Sequence, residues 1–277
     1  MPESPEVQVL AEFLAEHATG RRVADADVLE FRAIKTRTRP PSTLAGREIT
    51  GAARHGKHVS LALGDQTQLV ISLGRHGWVR WLAPGEEAPP ASEAPPALAQ
   101  IGLDSGETVE VTDAGTWVSV GLFVVDDPFA VPAIAKLGPD PADPAFSPAD
   151  FDAALGGRRK QVKAILQEQE SLAGIGNAYS DEILHAARVS PVVHAALLDD
   201  EATQRLYTAT VETVRGAIEA RRGIPIHALK AAKVASMRVH GRAGEPCPVC
   251  GDTIRDFAFA STTAQYCPTC QTGGAVL

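Results

Sequence analysis

Cys247-Pro-Val-Cys250 and Cys267-Pro-Thr-Cys270 hold every cysteine of this 277-residue chain, with sixteen residues between the two C-x-x-C pairs. Four thiolates at this separation close a tetrahedral zinc site, which is saturated and therefore structural. Two disulfides are the competing use of the same cysteines, disfavoured in a cytoplasmic chain. The runs Ile254–Ala260 and Thr263–Tyr266 suit two strands of a hairpin, so a zinc ribbon is expected. A segment below about 40 residues cannot hold its fold by burial alone, and metal binding supplies the difference.

Upstream of this tail the texture changes twice. Residues 5–18 place Val7, Leu10 and Leu14 at helical spacing. From about residue 22 to 130 short Val/Leu/Ile runs follow: His58–Leu63, Gln68–Leu73, Trp78–Leu82, Thr108–Thr112 and Trp117–Val125. Ala83–Ala99, rich in Pro, Ala and Glu, reads as an exposed loop. After a Pro/Asp/Ala linker at Pro139–Pro148, Ser147 and Pro148 give a helix start, and helical patterning runs to Gly223. Its last helix lies around Asp199–Arg222. The chain thus reads as a β-rich domain behind one helix, an all-helical domain and the cysteine tail.

Composition excludes some classes. At 44% hydrophobic and 22% charged the chain is not disordered. No run approaches the roughly 18 apolar residues of a membrane span, and Glu3, Glu6 and Glu12 interrupt any signal peptide. A cytoplasmic protein with no membrane partner is expected. The net charge of −8 argues against a polyanionic partner, but it is segregated. Residues 82–150 hold 12 acids against Lys136 alone, whereas residues 1–81 carry +2 and residues 151–277 carry +1. Those acids are expected on an outer face or in the Pro/Ala loop. The surface that would meet a polyanion is expected from residues 32–58, Arg75, Arg158–Lys163 and the cysteine hairpin.

Two further motifs carry chemistry. Met1-Pro2-Glu3-Ser4-Pro5-Glu6 would expose a secondary amine at Pro2 once Met1 is removed. An α-amino group, with a reference pKa near ~8, is closer to neutrality at pH 7 than Lys at ~10. Glu3 and Glu6 could exchange protons beside it; the plain alternative is a helix start with acids complementing the dipole. Leu172-Ala-Gly-Ile-Gly176-Asn177-Ala-Tyr179 joins two helices and can expose amides to a phosphate, with Arg158, Arg159, Lys160 and Lys163 nearby in sequence. A simple helix–helix turn is the alternative there.

Taken together the chain resembles the formamidopyrimidine-DNA glycosylase / endonuclease VIII family of base-excision repair enzymes. The resemblance rests on Pro2-Glu3-Ser4-Pro5-Glu6-Val7, Gly56-Lys57 and Leu137-Gly-Pro-Asp-Pro141. It continues through Lys163–Gln169, Ala173–Leu184, Gly241–Gly251 and Tyr266–Gln271. It implies an α+β multidomain fold: an N-terminal helix plus β-sandwich (1–138), a helix–two-turn–helix domain (148–225) and a C-terminal zinc ribbon (235–277). It also implies one structural zinc on Cys247, Cys250, Cys267 and Cys270, and a monomer that binds damaged double-stranded DNA in a cleft between two lobes. By resemblance Pro2 attacks C1′ of a flipped nucleotide and Glu3 acts as acid on the sugar. Lys57 contacts the backbone and supports the β-elimination that nicks the strand. Glu6, Arg75, His76, Trp117, Arg158, Lys163, Gly176 and Asn177 make up the expected DNA-binding set.

Departures from the family pattern cluster on selectivity. Thr262 stands where the formamidopyrimidine branch has an arginine on the zinc hairpin, losing a bidentate phosphate donor. The three residues with which that branch fills the vacated duplex correspond here to Arg75, Gly115 and Trp117. Arg75 or His76 could reach a groove or stack, and Trp117 serves either as a wedge or as strand core. Gly223–Lys230 is short and lacks the Ser/Thr-rich loop that caps 8-oxoguanine. Oxidised pyrimidines, abasic sites or bulkier adducts are therefore expected ahead of 8-oxoguanine. The competing functional reading is a relative that recognises damage without excising it. A zinc-ribbon regulator with an unrelated N-terminal domain explains the tail but not Pro2.

Overall fold

The computed structural model describes residues 1–64, 66–90 and 92–277, so Ala91 of the expected Ala83–Ala99 loop lies outside the described residues. The chain divides into two compact units. The first comprises residues 1–2, 6–136 and 223–228, the second residues 3–5, 137–222 and 229–277.

Helix α1 (Ser4–Ala18) buries Val7, Leu10 and Leu14, the stripe its spacing requires. Eight strands follow: β1 (Val23–Val28), β2 (Ile49–His55), β3 (His58–Leu63), β4 (Thr67–Ser72), β5 (Gly77–Leu82), β6 (Ala97–Leu103), β7 (Thr108–Asp113) and β8 (Gly121–Val125). They form two four-stranded antiparallel sheets, in orders β1-β6-β7-β5 and β2-β3-β4-β8. β2 and β3 meet at a two-residue turn that pairs His55 with His58. Gly56 supplies the positive φ of +55° there, and Lys57 sits half-buried beside it. This is the expected β-sandwich behind one helix.

Three strands escape the sequence reading. β1 and β2 alternate with exposed polar or small residues, and β6 begins at Ala97, inside the expected loop. Conversely, the run expected to start a strand at Trp117 pairs only from Gly121. The Asp113 carboxylate accepts from Gly115 N, Ser119 N, Ser119 Oγ and Val120 N, which folds residues 114–120 into a loop. Burial opposes it, but these bonds hold Asp113 below the usual carboxylate range. The acids of residues 82–150 also divide. Glu86, Glu87 and Glu93 are exposed as expected, whereas Glu110 is fully buried against Arg80 (2.7 Å) and Gln100 (2.8 Å). Buried carboxylates need such partners.

After a short helix α2 (Pro132–Ala135), the second unit contains α3 (Pro148–Leu155), α4 (Val162–Gln167), α5 (Asn177–Ala187), α6 (Asp200–Arg221) and α7 (Leu229–Ser236). Ser147 caps α3 in a reciprocal capping box with Asp150, and Asp199 caps α6. Phe151, Ile165, Tyr179, Ile183, Leu206 and Val214 meet in one core. Helix α7 lies beyond the Gly223 limit of the sequence reading. The tail forms a hairpin of β9 (Arg255–Phe259) and β10 (Thr262–Tyr266), followed by α8 (Pro268–Thr272). Among the described residues no helix is long and apolar enough to cross a membrane.

Candidate active site

The turn before α5 is built to receive Glu3. Ser4 N donates to Gly174 O at 2.9 Å. Gly174 has φ +87°, and a Cβ there would collide with the Ser4 side chain. A Cβ on Gly176 would lie 2.6 Å from the Glu3 carboxyl carbon. Into this space Glu3, 1% exposed, places both oxygens. Oε2 accepts from Gly176 N and from Tyr179 N (3.4 Å), and Oε1 accepts from Ala178 N (3.2 Å) and the Lys233 ammonium (2.9 Å). The helix N-terminus thus meets a carboxylate of the chain itself, as its dipole favours. The expectation of a free phosphate cradle at Gly176 is corrected accordingly: those amides are occupied.

Two neighbouring expectations change for the same reason. The Asn177 side chain donates to Thr263 O (2.9 Å) and accepts from Gln167 (3.0 Å), tying α5 to β10 and α4. Lys163 has no solvent exposure. Its ammonium donates to Asp181 Oδ1 (2.6 Å), Ser180 Oγ (2.8 Å) and Asn177 O (3.4 Å), so it is a buried strut rather than a surface cation. Burial draws its pKa below the usual lysine value, with Asp181 opposing. Asp181 Oδ2 also takes His240 Nδ1 at 2.6 Å. Glu182 accepts from the amides of Arg238, Val239 and His240.

Arg158 remains half-exposed, but both its terminal nitrogens are engaged, by Ser171 and Glu168 (2.8 Å each). Lys160 joins Glu168 at 2.7 Å, and the Glu168 carboxyl is held at about 2, first by Lys160 and then by Ser171. Sequence reasoning missed Lys233, Asp181, His240 and Glu182. In the sequence Asp181 and Glu182 read only as part of a helix and of the family motif; Lys163 is 18 residues from Asp181, but His240 and the amides of residues 238–240 lie more than fifty residues away.

In the first unit, Pro2 and Glu6 are both buried, Glu6 with no exposure at all. Arg75, His76 and Trp117 are exposed, and one hydrogen-bonded knot holds their loops. Ser119 Oγ takes Arg75 N (3.1 Å) and His76 N (3.5 Å) while donating to Asp113. Trp117 is 80% exposed, which rules out its alternative as strand core. The expected basic surface at residues 32–58 is partly neutralised: Arg32 is held by Glu30 and Arg39 by Asp126, both at 2.7 Å.

The four cysteine sulfurs lie within 4.8 Å of one another, with Cys250–Cys267 at 3.3 Å and Cys247–Cys270 at 3.9 Å. A tetrahedral zinc with bonds of about 2.3 Å sets S···S near ~3.8 Å, whereas a disulfide requires about 2.05 Å. The donor set therefore fits one structural zinc and excludes paired disulfides. His185 Nε2 stands 3.3 Å from Cys247 Sγ and orients that ligand from α5. Burial lowers the His185 pKa to about 4, so its ring is neutral at pH 7. Thr262 turns its hydroxyl back onto Phe259 O (3.1 Å).

The fold and the four-cysteine cluster are those of the DNA-repair glycosylases. Three family models match in chain order: the formamidopyrimidine-DNA glycosylase N-terminal domain at residues 1–117, its H2TH (helix–two-turn–helix) domain at 137–227, and the zinc finger found in FPG and IleRS at 244–273. The formamidopyrimidine-DNA glycosylase of Heliobacterium modesticaldum is 34% identical over 98% of this chain and 100% of its own length. An uncharacterized formamidopyrimidine-DNA glycosylase-like protein of Mycobacterium tuberculosis is 44% identical over 53% of this chain and 91% of its own. The Lactococcus lactis enzyme, solved bound non-covalently to abasic-site DNA, superposes with a TM-score of 0.84 at 25% identity, covering 98% of this chain and 99% of that one. The chain belongs to the formamidopyrimidine-DNA glycosylase family.

Proposed function

We propose that this chain is a bifunctional base-excision enzyme that removes a damaged base and then nicks the strand at the abasic site. The observation that carries this reading is the seating of Glu3: three backbone amides and one ammonium fix the carboxylate next to Pro2 in the chain. Such an investment in one side chain suits a reacting group better than a helix cap. Removal of Met1 frees the Pro2 amine, which attacks C1′ of a nucleotide flipped from the duplex. The base departs, Glu3 acts on the sugar oxygen, and the ring opens to a Schiff base. That iminium acidifies the C2′ proton, and β-elimination breaks the strand, with Lys57 supporting the step.

Arg75, His76 and Trp117 are the DNA-contacting groups, with Trp117 filling the vacated stack; Arg158 adds a backbone contact. Lys163, Gly176, Asn177 and Glu6 act as internal supports. The working segments are residues 1–138, 148–225 and 235–277, in a cytoplasmic, monomeric protein. Oxidised pyrimidines and abasic sites precede 8-oxoguanine as substrates.

Borohydride trapping on duplex DNA with one abasic site tests the reading, alongside intact mass to establish Met1 removal. A covalent adduct that disappears on Pro2→Gly with an extra N-terminal residue supports it; no adduct from Met1-free protein sinks it. The second reading, a damage-binding relative without excision, draws on Thr262, whose hydroxyl serves the hairpin where the family arginine holds phosphate. Tight binding across a panel of lesion duplexes with no cleavage of any would favour it.

A further inference from the structure

We propose that Lys233 is a positioning residue for Glu3 and holds the proton that Glu3 delivers to the sugar. The inference rests on the reading of Glu3 as the acid of base excision. The amides of Gly176, Ala178 and Tyr179 and the Lys233 ammonium each donate to a carboxylate oxygen of Glu3. Of these donors only the Lys233 ammonium is a proton-transfer group, backbone amides being too weakly acidic, so the acid is the pair.

Lys233 is placed to complete it. Its ammonium is 2.9 Å from Glu3 Oε1, and the two side chains are 10% and 2% exposed. It lies 4.8 Å from the centre of the Tyr179 ring, which also carries the Arg221 guanidinium at 5.7 Å. Arg221 Nη2 donates to Ser236 Oγ (2.8 Å), and Ser236 Oγ donates to Lys233 O (2.9 Å), which fixes α7 in register. The other buried ammonium that senses Glu3, Lys163, is committed to Asp181. Helix α7 starts at Leu229, inside the short Gly223–Lys230 segment, and carries Lys233 one turn further on. Where the 8-oxoguanine-capping loop is missing, this chain delivers a cation to Glu3.

The proton balance closes within these groups. Lys233 Nζ gives its proton to Glu3 Oε1, and Glu3 passes one to the ring oxygen as the C1′–O4′ bond breaks. The proton that Pro2 nitrogen sheds on bonding C1′ returns to the Lys233–Glu3 pair. The departing base is protonated by water.

Lys233→Met and Lys233→Arg in the full zinc-loaded chain test this. Single-turnover excision is followed across pH on the lesion duplex that wild type cleaves fastest, beside borohydride trapping on abasic-site DNA and duplex affinity. For K233M, excision at neutral pH should fall by about 10²-fold and recover as pH is lowered, because Glu3 then draws its proton from solvent. Trapping should persist, since an open abasic aldehyde needs no ring protonation. K233R keeps the charge but cannot release a proton, so it should remain slow. A pH-independent defect in K233M, full activity in K233R, or parallel loss of trapping and affinity would each overturn the proposal. Wild type that neither traps nor excises refutes the glycosylase reading itself, and this inference with it.

Discussion

Lys163 and Asp181 form an ion pair at 2.6 Å with neither side chain exposed to solvent. Removing one member of such a pair leaves the other buried and uncompensated. Lys163→Met should therefore lower stability by about 3–5 kcal/mol, read from urea or thermal unfolding. The salt dependence of DNA binding by the surviving folded protein should match wild type, because no phosphate contact is lost. A shallower salt slope at unchanged stability would mean that Lys163 meets DNA after all.

Trp117 offers the opposite case. Being 80% exposed, it contributes little to the folded state. Trp117→Ala should change stability by less than about 0.5 kcal/mol. It should weaken binding to lesion duplex by about 1–3 kcal/mol, measured by fluorescence anisotropy. Equal affinities would remove Trp117 from the DNA interface.

Gly176 is under steric rather than conformational constraint: its φ of −128° suits any residue, but an added Cβ meets the Glu3 carboxyl at 2.6 Å. Gly176→Ala should displace Glu3 and slow excision by at least about 10²-fold, with near-native circular dichroism. Retained excision would show that Glu3 tolerates another seat.

The Glu168 carboxyl, held at about 2 by Lys160, Ser171 and Arg158, gives a pH signature. Its folded value is below the ordinary 4.5. The stabilisation from these contacts is therefore complete above about pH 4.5 and is lost as pH falls toward about 2. Glu168→Gln should flatten the acid limb of a stability–pH curve in that window. An unchanged limb would assign the acid sensitivity to other groups.

Stripping zinc with a chelator should unfold the β9–β10 hairpin and abolish binding to lesion duplex, since the ribbon's small core is Val239 and Ile254 packed with the ligands Cys247 and Cys267 themselves. Native affinity after zinc loss verified by mass spectrometry would contradict that.

Local signals carried much of the fold. α1, β3, α6 and the ribbon emerge from periodicity, caps and cysteine spacing, because each depends on residues adjacent in sequence. β1 and β6 did not, since their identity comes from pairing with each other across some seventy residues. At the site, Pro2, Glu3 and the four cysteines were legible from their motifs. The Gly174–Gly176 turn was legible as a set of exposed amides, but not as the seat of Glu3. That assignment, like Lys233 on Glu3 or Asp181 between Lys163 and His240, depends on contacts that sequence spacing does not encode. Lys163 shows the same limit: a lysine in a basic run suggests a surface cation until its burial is known.

Helix α5 is only 11 residues long, yet its first turn holds Glu3, its middle binds Lys163 and His240, and His185 near its end orients a zinc ligand. Asn177 adds a second tie, to the hairpin at Thr263. The helix is thus a shared strut: a disturbance entering at the metal ligands has only about three turns to travel before it reaches the carboxylate seat, so chelation should slow excision as well as loosen the hairpin.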